Sequence, residues 1–297
     1  MGFGKTGTTA LQSTLYANRE ALRECGLIYP DIGLHTKSGA HHVLSHEWGG
    51  WLKPEKTKFS DYGDFWRRLV ELAEDDEANV LVSSEAFSGH VLRGADNFPS
   101  DLKDYLGDTP VRLLFYIRKQ SEYLESQYRQ LVKAGLYGKN IDCFIDEFGI
   151  IGDFTRTLDV LADTFGDDSL MVRIYDRQRM IGGSIFHDVL SLFDISIEQA
   201  DWREGNRFNP SLSNNALQQA LNVKEIRDPI RRKQALSQIA RHDFESGRWR
   251  WDSNPLLTKA KQRQIMQRYD SINRKIGERY LELGKISPFS KQATLGA

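Results

Sequence analysis

The chain has 297 residues, 40% of them hydrophobic and 27% charged, with a formal net charge of −1. That length can bury a sizeable core as one α/β domain, and the balanced charge excludes a global pull toward nucleic acid or an acidic membrane. Any anion site must be local. Cys25 and Cys143 are the only cysteines, too few for a disulfide framework or a cysteine-rich metal centre. No stretch has the length of a transmembrane helix, and the N-terminus lacks a signal-peptide pattern, so the expected location is cytoplasmic.

The chain opens on Gly2-Phe-Gly-Lys-Thr-Gly-Thr-Thr9, followed by Ala-Leu-Gln12. This is a glycine-rich turn leading into a helix, where backbone N–H groups and the helix dipole favour an anion. Lys5 adds a positive charge, and Thr6, Thr8 and Thr9 add hydroxyl donors. A phosphate or sulfate ester is the natural occupant. The helix is predicted from about Thr8 to Cys25, with Leu11, Leu15, Leu22 and Cys25 on its apolar stripe.

Residues 26–57 are rich in Gly, His and Trp and read as irregular. A helix is predicted over Tyr62–Glu74, then a buried strand from Asn79 to Glu85. A loop over 87–100 and a short helix lead to a second buried strand, Val111–Ile117, ended by Arg118. The following helix carries Tyr123, Ser126, Gln127 and Leu131 and runs to about Leu136. An amphipathic helix over 153–165 precedes a strand at 169–175. Beyond about Ile181 the chain reads as mainly helical, interrupted at 201–210 and 241–255. Strands alternating with helices predict a parallel sheet covered on both faces, in a single domain spanning 1–297.

Two segments carry a family resemblance. The run Gly2-Phe-Gly-Lys5-Thr6-Gly7-Thr8-Thr9, continued by Leu11-Gln12, resembles the 5′-phosphosulfate loop of sulfotransferases that use PAPS (3′-phosphoadenosine 5′-phosphosulfate). Arg118 and Ser126, eight residues apart across a strand-to-helix turn, are similar to the pair that holds the cofactor's 3′-phosphate in that family. Arginine suits this task because its planar fork binds phosphate oxygens in pairs and keeps its charge. Weaker likeness to bacterial, carbohydrate-sulfotransferase-like members extends through Ser169–Asp176, Gly182–Leu190, Asn209–Ser213 and Asn273–Leu281.

The resemblance implies a P-loop-type three-layer sandwich with a central parallel sheet. In that fold a buried strand runs directly into the loop, whereas only Met1 to Phe3 precede it here. The expectation is that this first strand is missing from the sequence, which starts late. The resemblance also implies roles. Gly4, Lys5, Thr6, Gly7, Thr8 and Thr9 would cradle the 5′-phosphate and sulfonate, with Lys5 stabilising the leaving oxygen. Arg118 and Ser126 would bind the 3′-phosphate.

Glu85, at the C-terminal end of a predicted parallel strand where open α/β sheets place their ligands, is the candidate general base. His41 and His42 are the alternative bases, of which at most one can face a cleft, since neighbours on a chain point apart. No metal is implied, because lysine and helix dipole supply the positive field. The acceptor is expected to be a hydroxyl of a carbohydrate, lipid or small metabolite, with no nucleic-acid partner. The basic stretches Arg227–Lys233 and Arg248–Trp251 read as a solvated helix face and stacked packing.

Two other readings compete. Gly4-Lys5-Thr6 is the end of a Walker A loop whose first glycine would precede Met1, so a small-molecule kinase using Mg-ATP is the alternative enzyme. A degenerate, non-catalytic nucleotide-binding module is the third.

Overall fold

Short parallel strand pairs packed among helices make this a mixed α/β protein. The computed structural model describes residues 2–48, 62–75, 78–92, 94, 97–203, 205, 210–250, 252, 254–290 and 293. Beyond residue 48 the rest of the predicted irregular segment lies outside the described residues, as do Asn209 and Trp251. The chain divides into two units. One comprises residues 1–118, 154–208 and 275–297; the other comprises 119–153 and 209–274.

The first unit begins with α1 (Thr8–Ala17) and α2 (Arg19–Glu24), where the apolar stripe predicts one continuous helix. Asn18 breaks it. The Asn18 amide donates to the Thr14 carbonyl and to the Arg203 carbonyl, each at 2.7 Å, and its side-chain oxygen accepts from Arg203 N–H at 2.7 Å. An asparagine that bonds backbone in this way competes with helix continuation. Leu11, Leu15 and Leu22 still face inward, against Leu27, Phe186 and Val189.

Strand β1 (Leu27–Ile28) pairs in parallel with β2 (Asn79–Val80), after the intervening α3 (Tyr62–Asp75). The predicted strand to Glu85 keeps its ladder only at its start. Beyond it the backbone is held by His41, whose N–H donates to the Ser83 carbonyl at 2.9 Å. Next come α4 (Ala86–Leu92), α5 (Phe98–Leu106) and β3 (Leu113–Ile117). Strand β3 pairs in parallel with β4 (Leu170–Ile174), Leu113 facing Leu170 and Ile117 facing Ile174.

Within each pair the ladder bonds fix which way alternate residues point. Asn79 and Leu81 donate to Gly26 and Ile28, and Ile117 accepts from Tyr175. By alternation, Val80 and Val82 on one side, and Leu114 and Tyr116 on the other, turn their backbone groups to the opposite edge. An apolar slot lined by Gly2, Leu11, Leu15, Leu81, Leu114 and Ile185 borders both edges. Below it, Phe3 is buried against Phe115 and Phe154, with ring centroids 5.4 and 4.7 Å away.

A buried ionic node ties β3 and β4 to the short helix over Ile185–Leu190. Asp188, 1% exposed, accepts from Arg173 at 2.7 and 2.8 Å, from the Tyr116 hydroxyl at 2.5 Å and from Ile181 N–H at 3.0 Å. Burial opposes its ionisation, but these donors outweigh burial and hold the carboxyl below its ordinary range.

The second unit is helical among its described residues. Its core gathers Leu124, Tyr128 and Val132 of one helix (Gln120–Lys133) with Phe144, Leu217 and Ile265. Buried Arg129 donates to Glu125 and to the carbonyls of Leu212 and Asn254, and Gln120 and Asn273 exchange amide hydrogen bonds. The helix Pro229–Glu245 runs five residues into the interruption expected at 241–255. Arg227, Arg231 and Lys233 are exposed, as a solvated face requires.

Candidate functional site

The glycine loop has the backbone that its composition demands. Gly7 sits in the left-handed region at φ +80° and caps α1 without a side-chain hydrogen bond. Leu11 N–H is the first to return to the loop, donating to the Gly7 carbonyl at 3.0 Å. The N–H groups of Thr8, Thr9 and Ala10 therefore stand in the first turn, where a helix has no partners of its own to offer. No acidic residue occupies that turn, which leaves its partial positive charge for an anion.

Lys5 is also left-handed, at φ +68°. A non-glycine residue held there carries backbone strain, which the surrounding contacts must maintain. Arg118 Nη1 donates to the Lys5 carbonyl at 3.4 Å. Thr6 differs from expectation. It is fully buried, and its hydroxyl donates to the Phe3 carbonyl at 2.6 Å, so it fastens the loop rather than offering a donor to a ligand. Gly4, Lys5, Gly7, Thr8 and Thr9 are half-buried.

Tyr175, just past β4, is a residue that sequence reasoning missed. A Cβ at Gly7 would lie 2.7 Å from its ring, so only glycine allows the loop to pass. The Arg118 guanidinium lies 5.7 Å from the same ring's centroid, within cation–π range. Tyr175 thus touches both predicted phosphate-binding elements of this unit. The aromatic residue ending a buried strand was the available signal. Ser126 is half-buried on the helix Gln120–Lys133 and belongs to the second unit.

The predicted bases fall into two environments. His41 is fully buried; its Nδ1 accepts from Ser83 N–H at 3.2 Å and its Nε2 donates to the Pro30 carbonyl at 2.9 Å. Those partners define a neutral ring protonated at Nε2. Burial dominates and pushes its pKa down to about 4. His41 fastens the loop to the strand, with no nitrogen left for a substrate.

His42 and Glu85 come together. His42 Nε2 lies 4.0 Å from Glu85 Oε1, with the two side chains 27% and 32% exposed. His42 Nδ1 is bonded to the buried Ser84 hydroxyl at 2.8 Å. Glu85 Oε2 accepts from the Gln12 amide at 2.9 Å. The negative charge of Glu85 reaches Tyr29, whose phenol is raised well above its ordinary range by burial first and by Glu85 second.

Side chains that follow β2, β3 and β4 therefore meet the Gly4–Thr9 loop or the helix it opens. Glu85 follows the β2 segment and bonds to α1, Arg118 follows β3 and reaches Lys5, and Tyr175 follows β4 and covers Gly7. A cationic loop at a helix N-terminus, an arginine and a carboxylate–imidazole pair can hold a phosphorylated ligand and move a proton. Among the described residues no group of three or more His, Cys, Asp or Glu gathers as a metal site. No helix there is long and apolar enough to cross a membrane.

No protein-family model matches the chain, and no solved structure matches it. A 135-residue segment is 30% identical to an uncharacterized protein of Archaeoglobus fulgidus, covering 45% of this chain and 35% of that protein. The match thus spans about a third of the curated relative's length.

Proposed function

We propose that the chain is a nucleotide-dependent group-transfer enzyme of the PAPS class, moving a sulfuryl group to an acceptor hydroxyl of a carbohydrate, lipid or small metabolite. The observation that carries this reading is the gathering of three side chains on the loop and the helix it opens: Arg118 reaches Lys5, Tyr175 covers Gly7, and Glu85 bonds to Gln12 of α1. Open α/β sheets bind ligands at the C-terminal ends of their strands.

The loop fits an anionic cofactor. The N–H groups of Thr8, Thr9 and Ala10 stand in the first turn of α1 with no acidic residue among them, and Arg118 donates to the Lys5 carbonyl. When bound, PAPS supplies a sulfuryl group activated as a mixed anhydride. Backbone N–H groups of Gly7, Thr8 and Thr9, with the Thr8 and Thr9 hydroxyls, hold the 5′-phosphate and sulfonate. Lys5 offsets charge that develops on the leaving oxygen, and Arg118 binds the 3′-phosphate. Glu85 takes the proton of the incoming hydroxyl at its half-exposed carboxylate. His42, fixed by Ser84, sits beside that carboxylate to steady its charge.

The same reading assigns the fold as a P-loop-type three-layer sandwich with one parallel sheet. The edges at Val80 and Val82 and at Leu114 and Tyr116, which have no ladder partner among the described residues, and the apolar slot that borders them support a strand seated there that joins the two pairs.

Calorimetric titration tests the function. Adenosine 3′,5′-bisphosphate should bind without Mg²⁺, and Arg118→Ala should weaken it. Preference for Mg-ATP would move the protein to the kinases, and no binding of either would leave a degenerate module.

A further inference from the structure

Gln12 is the one buried amide that reaches from the loop helix into the proton-transfer pair, and nothing in the function above uses it. Only 2% exposed, it lies one turn beyond Thr8 on the same face of α1. Its Nε2 donates to Glu85 Oε2 at 2.9 Å and, more weakly, approaches the Ser83 hydroxyl at 3.4 Å. Among the described residues the Glu85 carboxylate accepts no other hydrogen bond, and its second oxygen faces His42 at 4.0 Å.

We infer that Gln12 is the positioning residue of Glu85: it locks one carboxylate oxygen to the helix that carries the anion loop and leaves Oε1 to face the acceptor. A glutamate has three side-chain torsions, and a free one samples several staggered rotamers. The hydrogen bond from a neutral amide to a carboxylate is a strong tether, because the acceptor is charged. Anchoring it on α1 has a geometric consequence. The group that binds the donor phosphate and the group that receives the acceptor's proton then ride on one rigid element, so their separation is set by a helix and not by two loops. Small errors in such separations cost large factors in rate.

The inference rests on Glu85 serving as the base, and its test separates the two. Two measurements apply to the full chain. The first is the Gln12 side-chain amide resonance by ¹H–¹⁵N NMR in the wild type and in Glu85→Ala. The second is the rate of PAPS hydrolysis, with water as acceptor, alongside adenosine 3′,5′-bisphosphate affinity, for wild type, Gln12→Met, Glu85→Gln and the double variant. Methionine keeps the length of glutamine and removes only its polar end.

The expected results are a Gln12 amide signal that shifts in Glu85→Ala, and hydrolysis slowed roughly 10–100-fold in Gln12→Met with bisphosphate affinity within about twofold of wild type. Gln12→Met should add nothing further in the Glu85→Gln background, because the two residues act as one unit. An amide signal indifferent to Glu85→Ala, or a Gln12→Met protein that turns over normally or loses affinity as much as rate, would overturn the positioning role. A wild type that binds no bisphosphate would instead bring down the function on which the role depends.

Discussion

His41 makes the stability of the protein depend on pH in a window where few other groups act. Its folded-state pKa is lowered to about 4 against an ordinary value of 6.5, because burial penalises the cation. Between those values the unfolded chain binds a proton that the folded chain refuses. Stability from this residue is therefore fully present above pH 6.5 and is lost as pH falls toward 4. A displacement of this size corresponds to about 3 kcal/mol, at about 1.4 kcal/mol per unit. That is a large share of the roughly 5–15 kcal/mol that holds a typical domain.

Urea denaturation followed at pH 7.5, 6.5, 5.5 and 4.5 measures this slope. The buried carboxylate of Asp188 is held below its ordinary range, so its contribution is lost at lower pH and leaves the upper window to His41. His41→Phe should start from lower stability, having lost both ring hydrogen bonds, yet show a flatter profile between pH 6.5 and 4.5. A wild-type profile that stays level across this window, or an equally steep one in His41→Phe, would refute the assignment of His41 as a buried neutral tether.

Three further outcomes follow from the site. Arg118→Ala should weaken adenosine 3′,5′-bisphosphate roughly 10–100-fold by calorimetry, the loss of a charge-assisted phosphate contact; unchanged affinity would remove Arg118 from the site. Glu85→Gln should keep that affinity within about twofold while slowing PAPS hydrolysis by at least about 100-fold, and normal turnover would dismiss it as the base. Gly7→Ala should lower thermal stability by about 1–3 kcal/mol and weaken the bisphosphate, since its left-handed backbone and the Tyr175 ring both reject a Cβ; a variant as stable as wild type would show that the ring yields.

Much of the loop was legible because its chemistry is local. Glycines mark where left-handed backbone is needed, and Gly7 takes it; the apolar run Leu113–Ile117 ends where Arg118 was expected. What the sequence could not disclose depends on contacts between distant residues. Whether His41 or His42 faced Glu85 was settled by the His41 backbone pairing with Ser83, which turns His41 inward and His42 outward. Tyr175 and Gln12 gained their partners through packing, and no spacing rule reports that. Thr6 looked like a ligand donor because its hydroxyl fits the motif, yet the nearby Phe3 carbonyl claims it. The break at Asn18 has the same origin, its amide bonding Arg203 far along the chain. The sheet is the coarsest case: alternation of strands and helices predicted parallel pairing, and parallel pairing is present as two separate pairs.

The central claim is that the loop at Gly4–Thr9 cradles a 5′-phosphate on the first turn of α1. Backbone amide shifts of Gly7, Thr8 and Thr9, followed by ¹H–¹⁵N NMR during titration with adenosine 3′,5′-bisphosphate and separately with Mg-ATP, test it most directly. The account predicts large, saturable shifts at these amides with the bisphosphate in the absence of Mg²⁺, diminished in Lys5→Ala. Amides that stay still under the bisphosphate, or move only with Mg-ATP, would contradict it.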